Sequence, residues 1–114
     1  MKIYHNPRCG KSREGLQILK DSGKTFELIE YMGNNPLTFD KLQNTIKLLK
    51  IKPIELIRKN EAIWKENFKD KKLSDKRLIE LMIKYPQLME RPIVINGDKA
   101  LIGRPLSLLF DIIK

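Results

Sequence analysis

Hydrophobic and polar positions change period three times along this chain. Lys2 to His5 is a short β-type run, and Asn6-Pro7-Arg8-Cys9-Gly10 after it has loop composition. From about Ser12 to Ser22 the spacing becomes helical. Leu16 and Leu19 stand three apart, and Gly23 lies just past the end, where helices stop. Thr25 to Tyr31 carries Phe26, Leu28, Ile29 and Tyr31 and predicts a second strand. Strand, helix and strand within about 30 residues form a βαβ unit, whose two strands run parallel.

Gly33-Asn34-Asn35-Pro36 breaks the chain, and a helical section follows. Thr38 is placed to cap a helix with Phe39, Leu42, Ile46 and Leu49 on one face. Pro53 suits a first helical position and opens Ile54 to Arg58. Ser74 is placed to cap a helix carrying Leu78, Leu81, Met82 and Tyr85, stopped by Pro86. Then the period shortens again. Ile93-Val94-Ile95 reads as a buried strand, Asn96-Gly97 as a hairpin turn, and Ala100 to Ile102 as the returning strand. Gly103-Arg104-Pro105 leads into a closing helix, Leu106 to Ile113, with Pro105 in its first turn.

The order βαβ, helical insert, ββα predicts an α/β protein of thioredoxin-like fold. Its sheet would be four-stranded and mixed, with an all-helical insert over about residues 37–86. Periodicity alone admits other small α/β folds; the placement of Cys9 and Pro92 narrows the choice. At 114 residues the chain suits a single domain over 1–114. Hydrophobic residues at 41% supply a core and exclude low-complexity disorder. No apolar run approaches the ~20 residues of a membrane helix. The N-terminus lacks the apolar run and cleavage site of a secretory signal. One cysteine cannot form an internal disulfide, so a reducing cytoplasm is the expected setting.

The net charge is +9, which attracts anions: nucleic acid, acidic proteins or small oxyanions. Most lysines read as solvated surface. Basic residues are not interleaved with aromatics, so no nucleic-acid partner is expected, and no membrane partner either. The basic segment Lys69 to Lys72 reads as a solvated loop that could touch an acidic partner, and Trp64 as a packed residue.

Candidate chemistry centres on Cys9, between the first strand and the first helix. A helix N-terminus offers partial positive charge and unpaired N–H groups, which favour thiolate over thiol. His5, Arg8, Lys11 and Arg13 would push the same way if they point inward. Gly10-Lys11-Ser12 is not a Walker motif, because His5 stands where its first glycine is required, but a loop entering a helix is an anion site in its own right. Ser12 stands where thioredoxin-like proteins often place a second cysteine. With Cys-x-x-Ser, an oxidised form or adduct of Cys9 must be resolved by an outside thiol. Arg91-Pro92 precedes a strand and is a candidate cis peptide. Arg58, Arg91 and Arg104 each sit at an element boundary, and arginine matches oxyanions through its planar fork. One Cys and one His cannot build a zinc cluster, so no metal site is expected.

Several of these segments together resemble the ArsC/Spx family, nearest its glutaredoxin-coupled arsenate reductases. Ile3-Tyr4-His5-Asn6-Pro7-Arg8-Cys9-Gly10-Lys11-Ser12-Arg13 is similar to the family's active-site segment, and Leu56-Ile57-Arg58-Lys59-Asn60 to its middle arginine motif. Asp75-Lys76-Arg77-Leu78-Ile79 resembles its late-helix segment. Arg91-Pro92-Ile93-Val94 and Ile102-Gly103-Arg104-Pro105 resemble its two C-terminal arginine motifs.

The resemblance implies that Cys9 is the nucleophile and that His5 helps keep it ionised. Arg58, Arg91 and Arg104, with Gly10, Lys11 and Ser12, would hold arsenate. Glutathione would be the co-substrate and glutaredoxin the partner, with no bound cofactor and a monomeric protein. Arg8 departs from the small residue found in the family enzyme. Two other readings within the family are a thiol oxidoreductase of another substrate and an Spx-like regulator that binds RNA polymerase. Spx redox sensing depends on Cys-x-x-Cys, which Ser12 removes.

Overall fold

The computed structural model describes residues 1–33 and 36–113. Its strands are β1 (Lys2–Tyr4), β2 (Glu27–Ile29), β3 (Ile93–Asn96) and β4 (Lys99–Ile102). Its helices are α1 (Gly10–Asp21), α2 (Phe39–Leu49), α3 (Ala62–Asn67), α4 (Asp75–Lys84) and α5 (Leu109–Ile113). The chain divides into two compact units, Met1–Pro36 with Arg91–Lys114, and Leu37–Glu90. No helix among the described residues is long and apolar enough to cross a membrane. Asn34 and Asn35 of the expected chain break lie outside the described residues.

The first unit holds a four-stranded mixed sheet in the order β2-β1-β3-β4. β1 and β2 are parallel, while β1–β3 and β3–β4 are antiparallel. This is the thioredoxin-like arrangement expected from the element order. Ile3 of β1, Val94 of β3, Leu19 of α1 and Leu109 of α5 are fully buried in one cluster. Each such side chain contributes about 1.5–3 kcal/mol relative to exposure.

β2 is shorter than the Thr25–Tyr31 run suggested. It is an edge strand that pairs only with β1, and Lys2–Tyr4 offers it three partners before the chain turns away. Leu28 is accordingly exposed. Tyr31, beyond the strand, is buried and packs edge-on against Tyr4 with ring centroids 6.2 Å apart.

The β3–β4 hairpin is shifted by one residue from the Asn-Gly reading. Asn96 is still in the strand, paired with Lys99, and Gly97 takes the positive φ (65°) of the first loop position. Asn96 instead donates its side-chain N–H to the Ile112 carbonyl at 2.7 Å, satisfying a free carbonyl at the end of α5. The closing segment is a 3-10 turn, Leu106–Leu108, that runs on into α5. Pro105 lies just ahead of that turn with extended ψ (159°), not in its first turn.

The second unit is helical. Thr38 caps α2 by accepting from the Lys41 N–H, and Ser74 caps α4 by accepting from the Arg77 N–H. α4 packs on α2 and on the 3-10 turns Pro53–Leu56 and Pro86–Leu88. The helix expected over Ile54 to Arg58 ends early. Ile57 bridges Met89, the Arg58 N–H donates to the Leu88 carbonyl, and the Glu90 N–H donates to the Leu56 carbonyl. That pairing pulls residues 57 and 58 into extended backbone. It also carries this unit to Glu90, beyond the expected limit near 86. Helix α3 was not legible in the pattern. Its six residues are too few to show a period, and Trp64 is its only buried side chain.

One packing contact in the first unit positions the site. A Cβ added at Gly15, in the middle of α1, would lie 2.7 Å from Pro92 Cγ, and one at Gly103 would lie 3.1 Å from the same atom. The Pro92 ring therefore sits where only glycines can face it. Gly15→Ala would gain up to about 1 kcal/mol of helix propensity. Overpacking against a rigid ring costs about 1–3 kcal/mol. A net loss of up to about 2 kcal/mol is expected in urea denaturation. Gly10→Ala meets nothing closer than 3.8 Å and serves as the near-neutral control.

Candidate active site

The sheet register gathers three loops at one end. Tyr4 ends β1 and is paired with Ile93, the first residue of β3, which is paired in turn with Ile102, the last residue of β4. The segments His5–Cys9, Arg91-Pro92 and Gly103-Arg104 must therefore emerge side by side. The Gly103 N–H donates to the Pro92 carbonyl at 2.8 Å, and Arg104 Nε donates to the Arg91 carbonyl at 2.7 Å. Both Arg91-Pro92 and Arg104-Pro105 are cis; the second was not anticipated.

The loop carrying Cys9 is built on Asn6. The Asn6 side-chain oxygen accepts from the Arg8 N–H and its carbonyl accepts from the Cys9 N–H, both at 3.0 Å. Cys9 then becomes the N-terminal flanking residue of α1, with extended φ and ψ. Asn6 is buried, and it was not singled out from the sequence. The Asn-Pro dipeptide, a turn opener, was the signal that could have found it.

Cys9 is half-buried, and burial by itself pushes its thiol upward. The opposing effects are larger together. The Arg91 guanidinium hydrogen-bonds to the sulfur, the Ser12 and Lys11 backbone N–H groups favour negative charge there, and the Arg91 charge adds to both. The thiol consequently titrates below its ordinary value. Arg104 Nη2 also donates to the Cys9 sulfur, at 3.7 Å. Two arginines from separate loops thus converge on one sulfur at a helix N-terminus.

The cations adjacent to Cys9 in sequence do not supply this field. The Arg8, Lys11 and Arg13 side chains are exposed. Lys11 Nζ is 3.5 Å from Glu14, and Arg13 donates to the Pro7 carbonyl at 2.9 Å. What Gly10, Lys11 and Ser12 offer an anion is backbone N–H. The Ser12 hydroxyl is fully buried, bonded to His5 Nδ1 and accepting from the Asn6 N–H, each at 2.9 Å.

Burial holds the His5 imidazole below its ordinary value of 6.5, with Glu30 and Ser12 opposing and Lys20 and Arg13 assisting. The ring is therefore neutral at neutral pH, and its bond is to Ser12. Its link to Cys9 runs through the loop that Ser12 fixes and not through imidazolium charge. Ser12→Ala would leave the Asn6 N–H and His5 Nδ1 without this partner inside the protein. A loss of about 1–3 kcal/mol is expected in denaturation, along with slower Cys9 alkylation as the loop loosens.

Arg58 belongs to the second unit. It is half-buried there, and its Nη1 donates to Glu61 Oε1 at 2.9 Å.

A thioredoxin-like sheet that presents one cysteine sulfur, held by two arginines, at the start of its first helix defines a class: thioredoxin-like proteins with a single cysteine at the helix N-terminus. The ArsC family model matches residues 4–108. YfgD of Escherichia coli, described as an uncharacterized protein, is 44% identical over 99% of this chain and 96% of its own length. An arsenate reductase of Haemophilus influenzae is 38% identical over 97% of each chain. The solved structure of an arsenate reductase from Vibrio cholerae is 35% identical, covers 98% of both chains and superposes with a TM-score of 0.89. The chain belongs to the ArsC family.

Proposed function

We propose that this protein reduces arsenate to arsenite through a covalent Cys9 adduct, with glutathione and glutaredoxin as the outside thiols. The observation that carries the reading is the Cys9 sulfur held by both Arg91 and Arg104. The same two guanidinium groups suit a tetrahedral oxyanion seated against the sulfur and the charge that develops as it reacts. Relatives named as arsenate reductases, similar over nearly their whole length, support the substrate. Arg58 is assigned to the oxyanion on the resemblance of its motif alone.

The Cys9 thiolate attacks arsenic(V), and an arsenate oxygen leaves as water after taking up protons. Glutathione displaces a second oxygen as water and forms a bond from its own sulfur to arsenic. A glutaredoxin thiol then attacks the glutathione sulfur. The sulfur–arsenic bond breaks, its electron pair stays on arsenic, and arsenic(III) and a mixed disulfide result. Water releases arsenite from Cys9 and restores the thiol. Two thiols are oxidised to one disulfide for each two-electron reduction of arsenic. An outside thiol is required because Cys9 is the sole cysteine.

The test is a coupled assay with arsenate, glutathione, glutaredoxin, glutathione reductase and NADPH. NADPH consumption matched by arsenite is the expected result. Arsenite formation that needs no glutathione and proceeds with thioredoxin would transfer the reductant assignment. No arsenite with any thiol system would refute the substrate.

A further inference from the structure

We propose a second anion site, in the helical unit, that binds a small organic polyphosphate carrying an uncharged aromatic ring, the chemistry of a nucleoside triphosphate. A cleft of about 600 Å³ opens there, within the range of pockets that hold small ligands. Five lysines line it, Lys59, Lys65, Lys69, Lys71 and Lys72, against one carboxylate, Asp75. Among the described residues none of these six side chains forms a salt bridge, so their summed charge is left for a ligand or for solvent.

The cleft is not polar throughout. Ile54 and Leu73, both half-buried, form part of its wall, with Trp64 and Leu78 buried beneath. The Lys71 ammonium lies 5.8 Å above the Phe68 ring, and Phe68 stacks obliquely on Trp64 with centroids 6.1 Å apart. The basic rim is thus continuous with the aromatic packing below it.

Lysines act as separate point charges on mobile stems and can converge on several phosphate oxygens. A cleft of this size suits a compact anion better than an extended acidic chain. Several unpaired positive charges around one small volume call for a compact ligand of three or four negative charges. The apolar wall gives its uncharged ring a place to pack. Nothing in the Cys9 chemistry uses these residues, so the proposal stands or falls apart from arsenate reduction.

Trp64 is the only tryptophan, so its emission reports directly on this cleft. Adenosine triphosphate, inorganic triphosphate and adenosine would each be titrated into the full chain. A saturable emission change is expected with the nucleotide, several-fold weaker binding with inorganic triphosphate, and none with adenosine at the same concentrations. Added salt should weaken binding, since the Debye length falls from about 10 Å at 0.1 M to about 3 Å at 1 M. The double variant Lys65→Gln/Lys72→Gln should lose about fivefold or more in affinity. Lys2→Gln/Lys24→Gln, exposed in the other unit, should bind as the parent does. Unfolding curves of both variants would confirm intact folding. No saturable change, equal weakening by both double variants, or tighter binding of a glutamate-rich peptide than of the nucleotide would overturn the proposal.

Discussion

Cys9→Ser is expected to abolish arsenite formation in the coupled assay, to the level of a blank without protein. Sulfur has two tasks in the proposed reaction that oxygen cannot take over. The first is to be ionised at neutral pH. The Arg91 hydrogen bond and the Ser12 and Lys11 N–H groups lower the proton affinity of a thiol whose ordinary value is 9.0. A hydroxyl in the same place begins many units higher and stays protonated. The second is to hold arsenic through a bond that a second thiol can exploit to deliver electrons. Ser12 offers no substitute, because its hydroxyl is fully buried and engaged by His5 and Asn6. The double variant Cys9→Ser/Ser12→Cys should therefore be as inactive as the single one. Recovery of turnover in it would show that position 12 can reach substrate and would refute this assignment of roles.

Arg91→Gln should slow Cys9 alkylation by iodoacetamide about tenfold at pH 7 and shift its pH profile upward. Hydrogen bonds to charged groups are worth about 1.5–3 kcal/mol, and 1.4 kcal/mol is one decade. Burial raises the thiol in any case, so without Arg91 that effect meets less opposition. The substitution leaves the Arg91 carbonyl in place, so Arg104 keeps its 2.7 Å bond to it and remains near the sulfur. The loss is then attributable to the Arg91 side chain. Arg91→Lys, which keeps the charge without the fork, should fall between the two. An unchanged profile in Arg91→Gln would assign the activation to the helix N-terminus and Arg104.

The same shift governs stability. Cys9 titrates lower when folded than when unfolded, so its contribution is fully present above the unfolded value. It is lost as pH falls through the folded one. His5, also lowered, has the same sign: its contribution holds above 6.5 and is lost on further acidification. The protein should therefore weaken on acidification. The Cys9 part of that dependence should flatten in Arg91→Gln.

Much of the architecture was legible in the sequence because it depends on local rules. The caps Thr38 and Ser74, the helical spacing of Leu42, Ile46, Leu78 and Met82, and the change of period at Ile93 need no distant partner to be read. So was the placement of Cys9 at the start of the first helix. Elements that exist only through partners carry no such local signature. β2 is cut to the length of β1, and residues 57 and 58 are drawn out of a helix by pairing with residues 88–90.

The site divides along the same line. A lone thiol at a helix N-terminus with a serine three residues on can be read from the chain alone, because both facts are matters of adjacency. Which cations serve that thiol depends on packing between distant segments. Arg8, Lys11 and Arg13 are its neighbours in the chain, yet exposure and local bonds turn them elsewhere. Arg91 and Arg104 lie more than eighty residues away. They reach the sulfur because the register Tyr4–Ile93–Ile102 brings three loops to one sheet end, and Gly15 and Gly103 leave room for Pro92 between them. Strand register and side-chain clearance are properties of the packed molecule, with no local signature in the chain.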